Sequence, residues 1–322
     1  MMPKLGFEML CVALGAGATA ASLWALGGVA RRRKRWLDLP SDDMLKSHAE
    51  PVPLVGGLGL WLGLIVAGLS MLIAGRGIVT LSVSVVSGLP IALGWADDVY
   101  WKNDPARYRP RTKFAIQVLV SILCGVAIWA FGWGDGIGLH AVLAIPVLAF
   151  LAFGAMNATN MQDGSDGIAA ALALVSSAFY AGLLGWANDA EGFWLAASTA
   201  AVLLVFFLYN KPPAKVYLGD NGSHWIGFVL IALAARLAVR LGGGWWLLVT
   251  PAILGVAILD AGLTVVRRIV SHERLFLGDR GHLYDRLAAS GLTKSGTLTV
   301  YTLLHLGIAG LVTFAIVLIT QG

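Results

Sequence analysis

The chain has 322 residues, of which 58% are hydrophobic and only 13% are charged. Soluble domains carry about 25% charged residues, so this composition excludes an ordinary soluble enzyme and indicates a polytopic membrane protein. The two cysteines, Cys11 and Cys124, lie in apolar runs without the spacing of a metal site, which argues against a disulfide framework. The net charge of +5 bears on membrane topology, and we expect no nucleic-acid partner.

Ten apolar runs are long enough to cross a bilayer as helices of about 20 residues. Strands of a β-barrel would show alternating polarity, and the run from Ala141 to Phe153 shows none. The sequence therefore predicts an all-α polytopic membrane protein of about ten transmembrane helices, with a single domain over residues 1–322. The predicted spans lie at about 5–30, 54–75, 78–96, 114–133, 140–156, 167–187, 192–209, 222–241, 245–267 and 297–320.

Positive charge is concentrated on one side of these spans. Nineteen of the 23 Lys and Arg residues fall in or beside the five loops on that side, beginning with Arg31–Arg35. Loops rich in Lys and Arg face the cytoplasm, so the N-terminus and the C-terminus are both expected outside. Fourteen of the 18 carboxylates lie in or near the same loops. We therefore expect any polar site at the cytoplasmic face.

Paired carboxylates end the third span. Asp97 and Asp98 lie in GWADDVYW, and neighbouring helical residues point about 100° apart, so the two can face different partners. Acidic residues at a membrane boundary mark functional sites, and a solvated helix end is the structural alternative. The basic run that follows, with Arg111 and Lys113, is either a topology signal or a phosphate-binding cluster.

The third inner loop carries amides and carboxylates but no Lys or Arg. In NATNMQDGSDG, Asn157, Asn160, Asp163 and Asp166 are three residues apart, which places the first three near one helical face. Such oxygen donors suit Mg²⁺ and also suit hydrogen bonds to uracil or sugar. A hydrophilic turn between two helices is the alternative.

The fourth inner loop, PAKVYLGDNGS, places Lys215 and Asp220 before the eighth span. Asp220, Asn221 and Ser223 can cap that helix. A helix N-terminus is also a favourable place for phosphate oxygens. Both roles are compatible with the sequence.

Histidines occur in the first and last inner loops. His48 precedes two prolines and Gly56, where the second span begins, and the glycine permits a close backbone approach. In the last loop, His282 shares a face with Arg286 if a short helix forms. Within the spans, only Asp260 lies at depth, and its distance of seven residues from Arg267 permits a structural salt bridge.

Five motifs occur in one order, namely SHAEPVPLVGG, ADD, NATNMQDGSDG, PAKVYLGDNGS and DRGHLYDRL. Over residues of about 38–290 they resemble the polyprenyl-phosphate N-acetylhexosamine-1-phosphate transferase superfamily. The resemblance implies a bacterial inner-membrane enzyme with its active site on the cytoplasmic face. It would transfer a sugar 1-phosphate from a UDP-sugar to undecaprenyl phosphate, releasing UMP. The implied cofactor is Mg²⁺, with Mn²⁺ as an alternative.

The resemblance gives a role to the GDxGS aspartate, and the chemistry of the motif residues suggests the other roles. In that superfamily the GDxGS aspartate is a magnesium ligand, and Asp220 matches it. The expected catalytic residues are Asp97, Asp98 and His282. The expected metal ligands are Asp98, Asn160, Asp166 and Asp220. The expected substrate-binding residues are His48, Arg111, Lys113, Asn157, Asp163, Lys215, Arg280 and Arg286.

The last motif also bears on the branch of the superfamily. Tyr284 and Asp285 stand where, by this resemblance, the peptidoglycan branch would have a run of histidines. This departure favours the branch that initiates O-antigen or other surface polysaccharides over the phospho-MurNAc-pentapeptide translocase. A transporter is the distant alternative, because transporters keep their charged groups near the midplane. The sequence leaves open the sugar, a one-step or a covalent two-step mechanism, and the oligomeric state, a homodimer included.

Overall fold

A computed structural model of the chain describes residues 2–40, 50–101, 110–272 and 281–321. These residues form fourteen α-helices and one short antiparallel ladder, in which β1 (Leu37–Asp38) pairs with β2 (Val52–Pro53). The helices are α1 (Met2–Arg33), α2 (Gly56–Ile73), α3 (Ile78–Val86), α4 (Gly88–Ala96), α5 (Pro110–Ile128), α6 (Gly134–Ile137), α7 (Ala141–Gln162), α8 (Ile168–Trp186), α9 (Ala190–Asn210), α10 (Gly219–Arg240), α11 (Trp246–Val249), α12 (Val256–Val270), α13 (Leu283–Ala289) and α14 (Lys294–Gln321).

Within the described ranges, nine helical segments are long and apolar enough to cross a membrane. Helices α3 and α4 form one of them together with a π-helical turn, Asp97–Trp101. The prediction of an all-α polytopic membrane protein is therefore confirmed. A tenth crossing depends on α11 and α12, which pass the same test only as a pair.

The ninth predicted span, at about 245–267, is broken rather than straight. The segments on either side of Gly255 are bent by 94°, and this glycine has a φ of 47°, which side-chain-bearing residues rarely adopt. The bend frees backbone carbonyls that hydrocarbon cannot solvate. Tyr180 and Ser176 on α8 donate hydrogen bonds to the carbonyls of Thr250 at 2.9 Å and Ile253 at 3.2 Å.

Helix α10 is the central helix of the bundle, and nearly all of its residues are buried. Glycines bring its neighbours close to its backbone. A Cβ on Gly94 of α4 would collide with the backbone of Asp220 and Asn221, and a Cβ on Gly227 would collide with Met156 of α7. The fold therefore fixes α10 tightly against α4 and α7.

Helix α10 also defines the two ends of the bundle. Asp220 and Arg240 are 20 residues apart on it, or about 30 Å at 1.5 Å per residue, which is roughly the thickness of the hydrocarbon core. At the Arg240 end, the carboxylate of Asp189 caps α9 and binds Arg236 at 2.5 Å and Arg240 at 3.1 Å. Thr320 near the C-terminus lines a cavity with Arg240.

Candidate active site

Asp98 caps the first turn of α10 from another helix. Its side chain, 3% exposed, accepts hydrogen bonds from the backbone N–H of Asp220 and of Asn221, each at 3.1 Å. The Asn221 side chain donates a third bond of 2.7 Å. Capping by Asp220, Asn221 or Ser223, one of the two roles compatible with the sequence, is not what the structure shows, because Asp98 provides the cap. Because Asp98 occupies these two amides, they are not available to a phosphate.

Lys113 of α5 joins two further carboxylates, those of Asp97 and Asp220. Its ammonium lies 2.5 Å from the carboxylate of Asp97 and 3.2 Å from that of Asp220. Asp97 is fully buried, while the Lys113 side chain is 22% exposed. The two neighbouring aspartates thus have different partners, because Asp97 faces a cation and Asp98 faces a helix N-terminus.

Asn160 at the end of α7 completes the surroundings of Asp220. Its amide nitrogen donates to Asp220 Oδ1 and to Ser223 Oγ, both at 2.9 Å. The structure thus brings together residues that lie just beyond the predicted cytoplasmic ends of the third, fourth, fifth and eighth spans. We call Asp97, Asp98, Lys113, Asn160 and Asp220 the aspartate cluster.

The aspartate cluster has the donor chemistry for a hard cation. Carboxylate and amide oxygens are the ligands that Mg²⁺ prefers, and the Lys113 ammonium stands between two of the carboxylates. Among the described residues, however, no three His, Cys, Asp or Glu side chains form a preassembled metal-binding group. Among the described residues, the Lys113 ammonium is the cation that lies between these carboxylates.

Asp166 and Asp163 lie with the loop after α9. Asp166 accepts from the backbone N–H of Ala214 at 3.3 Å and binds the Lys294 ammonium at 3.4 Å. Asp163 caps the end of α7. Burial raises the pKa of the Tyr217 phenol, and the charges of Asp166, Asp38 and Asp163 raise it further. Tyr217 therefore stays protonated beside these carboxylates.

His282 is held by a buried carboxylate from α12. Asp260, 2% exposed, accepts from His282 Nδ1 at 2.9 Å, from Gln162 at 3.0 Å and from the Leu283 backbone N–H at 2.9 Å. Tyr301 in turn donates to Gln162 at 2.8 Å. The pairing with Arg267 that the sequence spacing permits is not formed, and Asp260 orients the histidine instead.

The ring of His282 also stacks on Tyr284. Their centroids are 5.4 Å apart with an interplanar angle of 10°, and the Tyr284 hydroxyl donates to the Met161 carbonyl at 3.1 Å. His282 is thereby attached to the same end of α7 that carries Asn160. Tyr284 has a packing role at the position where the sequence departs from the histidine run.

The other residues predicted to bind substrate have contacts that do not connect them to the aspartate cluster, or are exposed, or lie outside the described residues. Asn157 donates to the Phe153 carbonyl of its own helix at 2.8 Å. Arg111, Lys215 and Arg286 are exposed. His48 and Arg280 lie outside the described residues.

Sequence reasoning missed the residues that support His282, namely Gln162, Thr264 and Tyr301. Thr264 lies 3.3 Å from His282 Nδ1, and both Gln162 and Tyr301 are fully buried. Polar side chains at depth in apolar helices were the available signal, since such groups need buried partners. Asp260 carried that signal, but its partner lies 22 residues away across a loop.

The chain is similar to known transferases over most of its length. The glycosyl transferase family 4 profile matches residues 80–238. A decaprenyl-phosphate N-acetylglucosaminephosphotransferase of Mycobacterium leprae is 31% identical over 323 residues, covering 88% of this chain and 78% of that protein. A probable undecaprenyl-phosphate N-acetylglucosaminyl 1-phosphate transferase of Bacillus subtilis is 29% identical, covering 82% and 73%.

A second kind of relative is also similar. A phospho-N-acetylmuramoyl-pentapeptide-transferase of Moorella thermoacetica is 29% identical over 259 residues, covering 75% of this chain and 76% of that protein. The matched range, residues 80–238, contains all five residues of the aspartate cluster. The resemblance drawn from the five loop motifs is confirmed, and the chain belongs to glycosyl transferase family 4.

Proposed function

We propose that this protein transfers N-acetylhexosamine 1-phosphate from a UDP-sugar to undecaprenyl phosphate, releasing UMP and initiating a surface polysaccharide. The observation that carries the proposal is the ammonium of Lys113 between the carboxylates of Asp97 and Asp220 at one end of a membrane bundle. The names of the relatives support a polyprenyl-phosphate acceptor. The proposed location is the bacterial inner membrane, with the Asp220 end in the cytoplasm and both termini outside.

In the proposed reaction, an oxygen of the lipid phosphate attacks the phosphorus that bears the sugar. The bond from that phosphorus to the bridging oxygen breaks, and UMP leaves with the electron pair. Both reactants are anionic, so their approach requires positive charge. Lys113 supplies one such charge, and its partial exposure gives it access to a phosphate at the membrane boundary.

Mg²⁺ is the proposed cofactor, with Asp97, Asp220 and Asn160 as its ligands. When bound, Mg²⁺ supplies positive charge and Lewis acidity to the diphosphate. Asp98 holds the first turn of α10, and through it Asp220, in place. This positioning role differs from the catalytic and ligand roles that the sequence analysis expected of Asp98.

His282 is proposed to act on the leaving UMP phosphate through Nε2. Because Asp260 accepts from Nδ1, a neutral His282 carries its proton on Nδ1 and leaves Nε2 free of one. A protonated His282 can donate from Nε2 to a phosphate oxygen. The buried acceptor at Nδ1 therefore fixes which nitrogen performs the transfer.

The test is UMP release by the purified chain in detergent, with undecaprenyl phosphate, Mg²⁺ and a panel of UDP-sugars. We expect release that requires the lipid phosphate and the metal, and that is lost in Asp97→Asn and Asp220→Asn. Glu8→Gln is the matched control, because it removes a buried carboxylate at the Arg240 end. No release with any donor, from chain that still binds UDP-sugars, would contradict the proposed transfer to this acceptor.

The alternative donor is UDP-MurNAc-pentapeptide, which belongs in the same panel. It is favoured by the relatives named phospho-N-acetylmuramoyl-pentapeptide-transferase. Tyr284 argues against it, because this side chain is buried in packing where that branch has a histidine run. Turnover of this donor alone would move the protein to the peptidoglycan branch.

A further inference from the structure

Two cavities meet at the Arg240 end of the bundle, away from the aspartate cluster. One, of about 450 Å³, is an apolar groove between α8 and α14 that includes Val175, Gly182 and Leu306. The other, of about 510 Å³, contains Arg240, Trp245 and Thr320. Both are lined by Trp186, so they form one continuous surface. We call it the distal groove.

The apolar part of the distal groove has the depth of one membrane leaflet. It runs along α8 from Val175 to Trp186 and along α14 from Leu306 to Val317, which is eleven residues on each helix. At 1.5 Å per residue this is about 16 Å. Half of a hydrocarbon core of about 30 Å is about 15 Å. The groove therefore matches the length of one acyl chain.

The polar part of the distal groove has the character of a headgroup site. Trp186, Trp245 and Trp246 line it, and tryptophan is enriched where hydrocarbon meets headgroups. Arg240 lies among them with its side chain 41% exposed. The polar and apolar parts are thus ordered as the parts of a phospholipid are ordered in a leaflet.

Arg240 keeps positive charge available at this place. It binds the carboxylate of Asp189 through Nε at 3.1 Å and Nη2 at 3.2 Å. Arg236 binds the same carboxylate more closely, at 2.5 and 2.8 Å, and its side chain is only 12% exposed. One negative charge is thus shared by two guanidiniums, and the more exposed one is the more weakly held.

We propose that the distal groove binds one anionic phospholipid from the leaflet at the Arg240 end. Its phosphate contacts the Arg240 guanidinium, its glycerol region lies against the tryptophans, and one acyl chain fills the space between α8 and α14. The ligand class follows from charge complementarity and from the matching depth. The site does not depend on the proposed transferase activity, because it lies about 30 Å from Asp220 along α10.

The test is native mass spectrometry of the full chain with phosphatidylglycerol or phosphatidylcholine of identical acyl chains. We expect the anionic lipid to be retained preferentially. Arg240→Ala should weaken its binding about fivefold, the value expected for one arginine near a membrane surface. Arg240→Lys should restore most of it. Arg76→Ala is the matched control, since Arg76 is also exposed at that end but pairs with Glu8 and lines neither cavity.

A second variant tests the apolar part without touching charge. A Cβ on Gly182 meets open space, so Gly182→Leu fills the groove and should release the lipid without unfolding the chain. Gly154→Leu is its control, because that glycine also faces open space and does not line the groove. Equal binding of the two lipids, or unchanged binding in Arg240→Ala, would overturn the proposal. So would a dimer that persists without lipid and is broken by Gly182→Leu, which would place a second copy in the groove.

Discussion

Replacing Asp260 by asparagine tests whether this buried carboxylate positions His282. Asp260→Ala would leave three donors without an acceptor, at about 1–3 kcal/mol each. The total approaches the whole stability of a domain, about 5–15 kcal/mol, so the alanine variant is not informative. The asparagine is isosteric, and its carbonyl oxygen can still accept from the Leu283 backbone N–H. Its NH₂ group then faces His282 Nδ1, where an acceptor stood.

The asparagine amide reverses the preferred tautomer of His282. A donor facing Nδ1 favours the unprotonated nitrogen there, so the ring proton moves to Nε2. Gln162 can rotate its amide to present oxygen to the new NH₂ group, because Tyr301 can accept as well as donate. The variant is therefore expected to fold with His282 in the wrong tautomer.

We expect kcat for UMP release to fall by about 10²–10⁴, the usual contribution of a general acid or base, with KM for the UDP-sugar little changed. Histidine-selective ¹⁵N NMR should show the proton on Nε2 in Asp260→Asn and on Nδ1 in the unmodified chain. Thr199→Val is the matched control, because it removes another buried hydrogen bond, from the Thr199 hydroxyl to the Leu195 carbonyl of its own helix, and should leave kcat unchanged.

A double-mutant cycle separates positioning from general damage. If Asp260 acts through His282, adding Asp260→Asn to a His282→Asn variant should lower kcat little further. Losses that multiply in the double variant would refute the reasoning. So would a folded Asp260→Asn protein with an unchanged kcat.

Three further outcomes follow from the contacts described above. In an EPR titration, Lys113→Met should bind Mn²⁺ at least about tenfold more tightly than the unmodified chain, because an ammonium at this distance competes with the metal. Its UMP release should fall. An unchanged Mn²⁺ affinity would contradict the idea that the metal and the ammonium share one position. Gly94→Ala should lose about 1–3 kcal/mol of stability together with activity, because its Cβ meets the Asp220 backbone, whereas Gly182→Ala should change neither Tm nor kcat. Burial alone would raise the pKa of Asp189, but hydrogen bonds from Arg236 and Arg240 lower it below the usual value of 3.8. The resulting stabilisation is present above pH 3.8 and is lost as the pH falls through the lower folded-state pKa. The Tm of the unmodified chain should therefore approach that of Asp189→Asn only in this acidic range.

The spans could be predicted from the sequence because a bilayer requires long apolar runs. Nine of the ten predicted runs each correspond to one helical segment of the described chain that is long and apolar enough to cross a membrane. The bend at Gly255 could not be predicted, since hydropathy is continuous across it. What permits the bend is a pair of donors, Tyr180 and Ser176, on a helix about 75 residues earlier. Hydropathy reports how apolar a segment is, and such partners do not enter it.

The aspartate cluster was predicted residue by residue, but not its internal arrangement. Motif position identified Asp97, Asp98 and Asp220 as functional candidates. It did not identify Asp98 as the cap of a helix that begins 121 residues later, because that contact depends on how α4 packs against α10. Gly94 allows this packing, since any side chain there would meet the backbone of α10. A glycine in an apolar run carries no mark of which helix it contacts.

The arrangement of charge along α10 explains how a carboxylate can be held rigidly at the membrane boundary. A helix is electropositive at its N-terminus and electronegative at its C-terminus. Asp98 meets the first turn; Arg240 lies in the last turn and Arg236 in the turn before it, and both bind Asp189. Between them the helix is buried and almost entirely apolar. Because both ends are fixed by complementary charge and the middle by close packing, Asp220 cannot shift without moving the helix, so its position is set before any substrate binds.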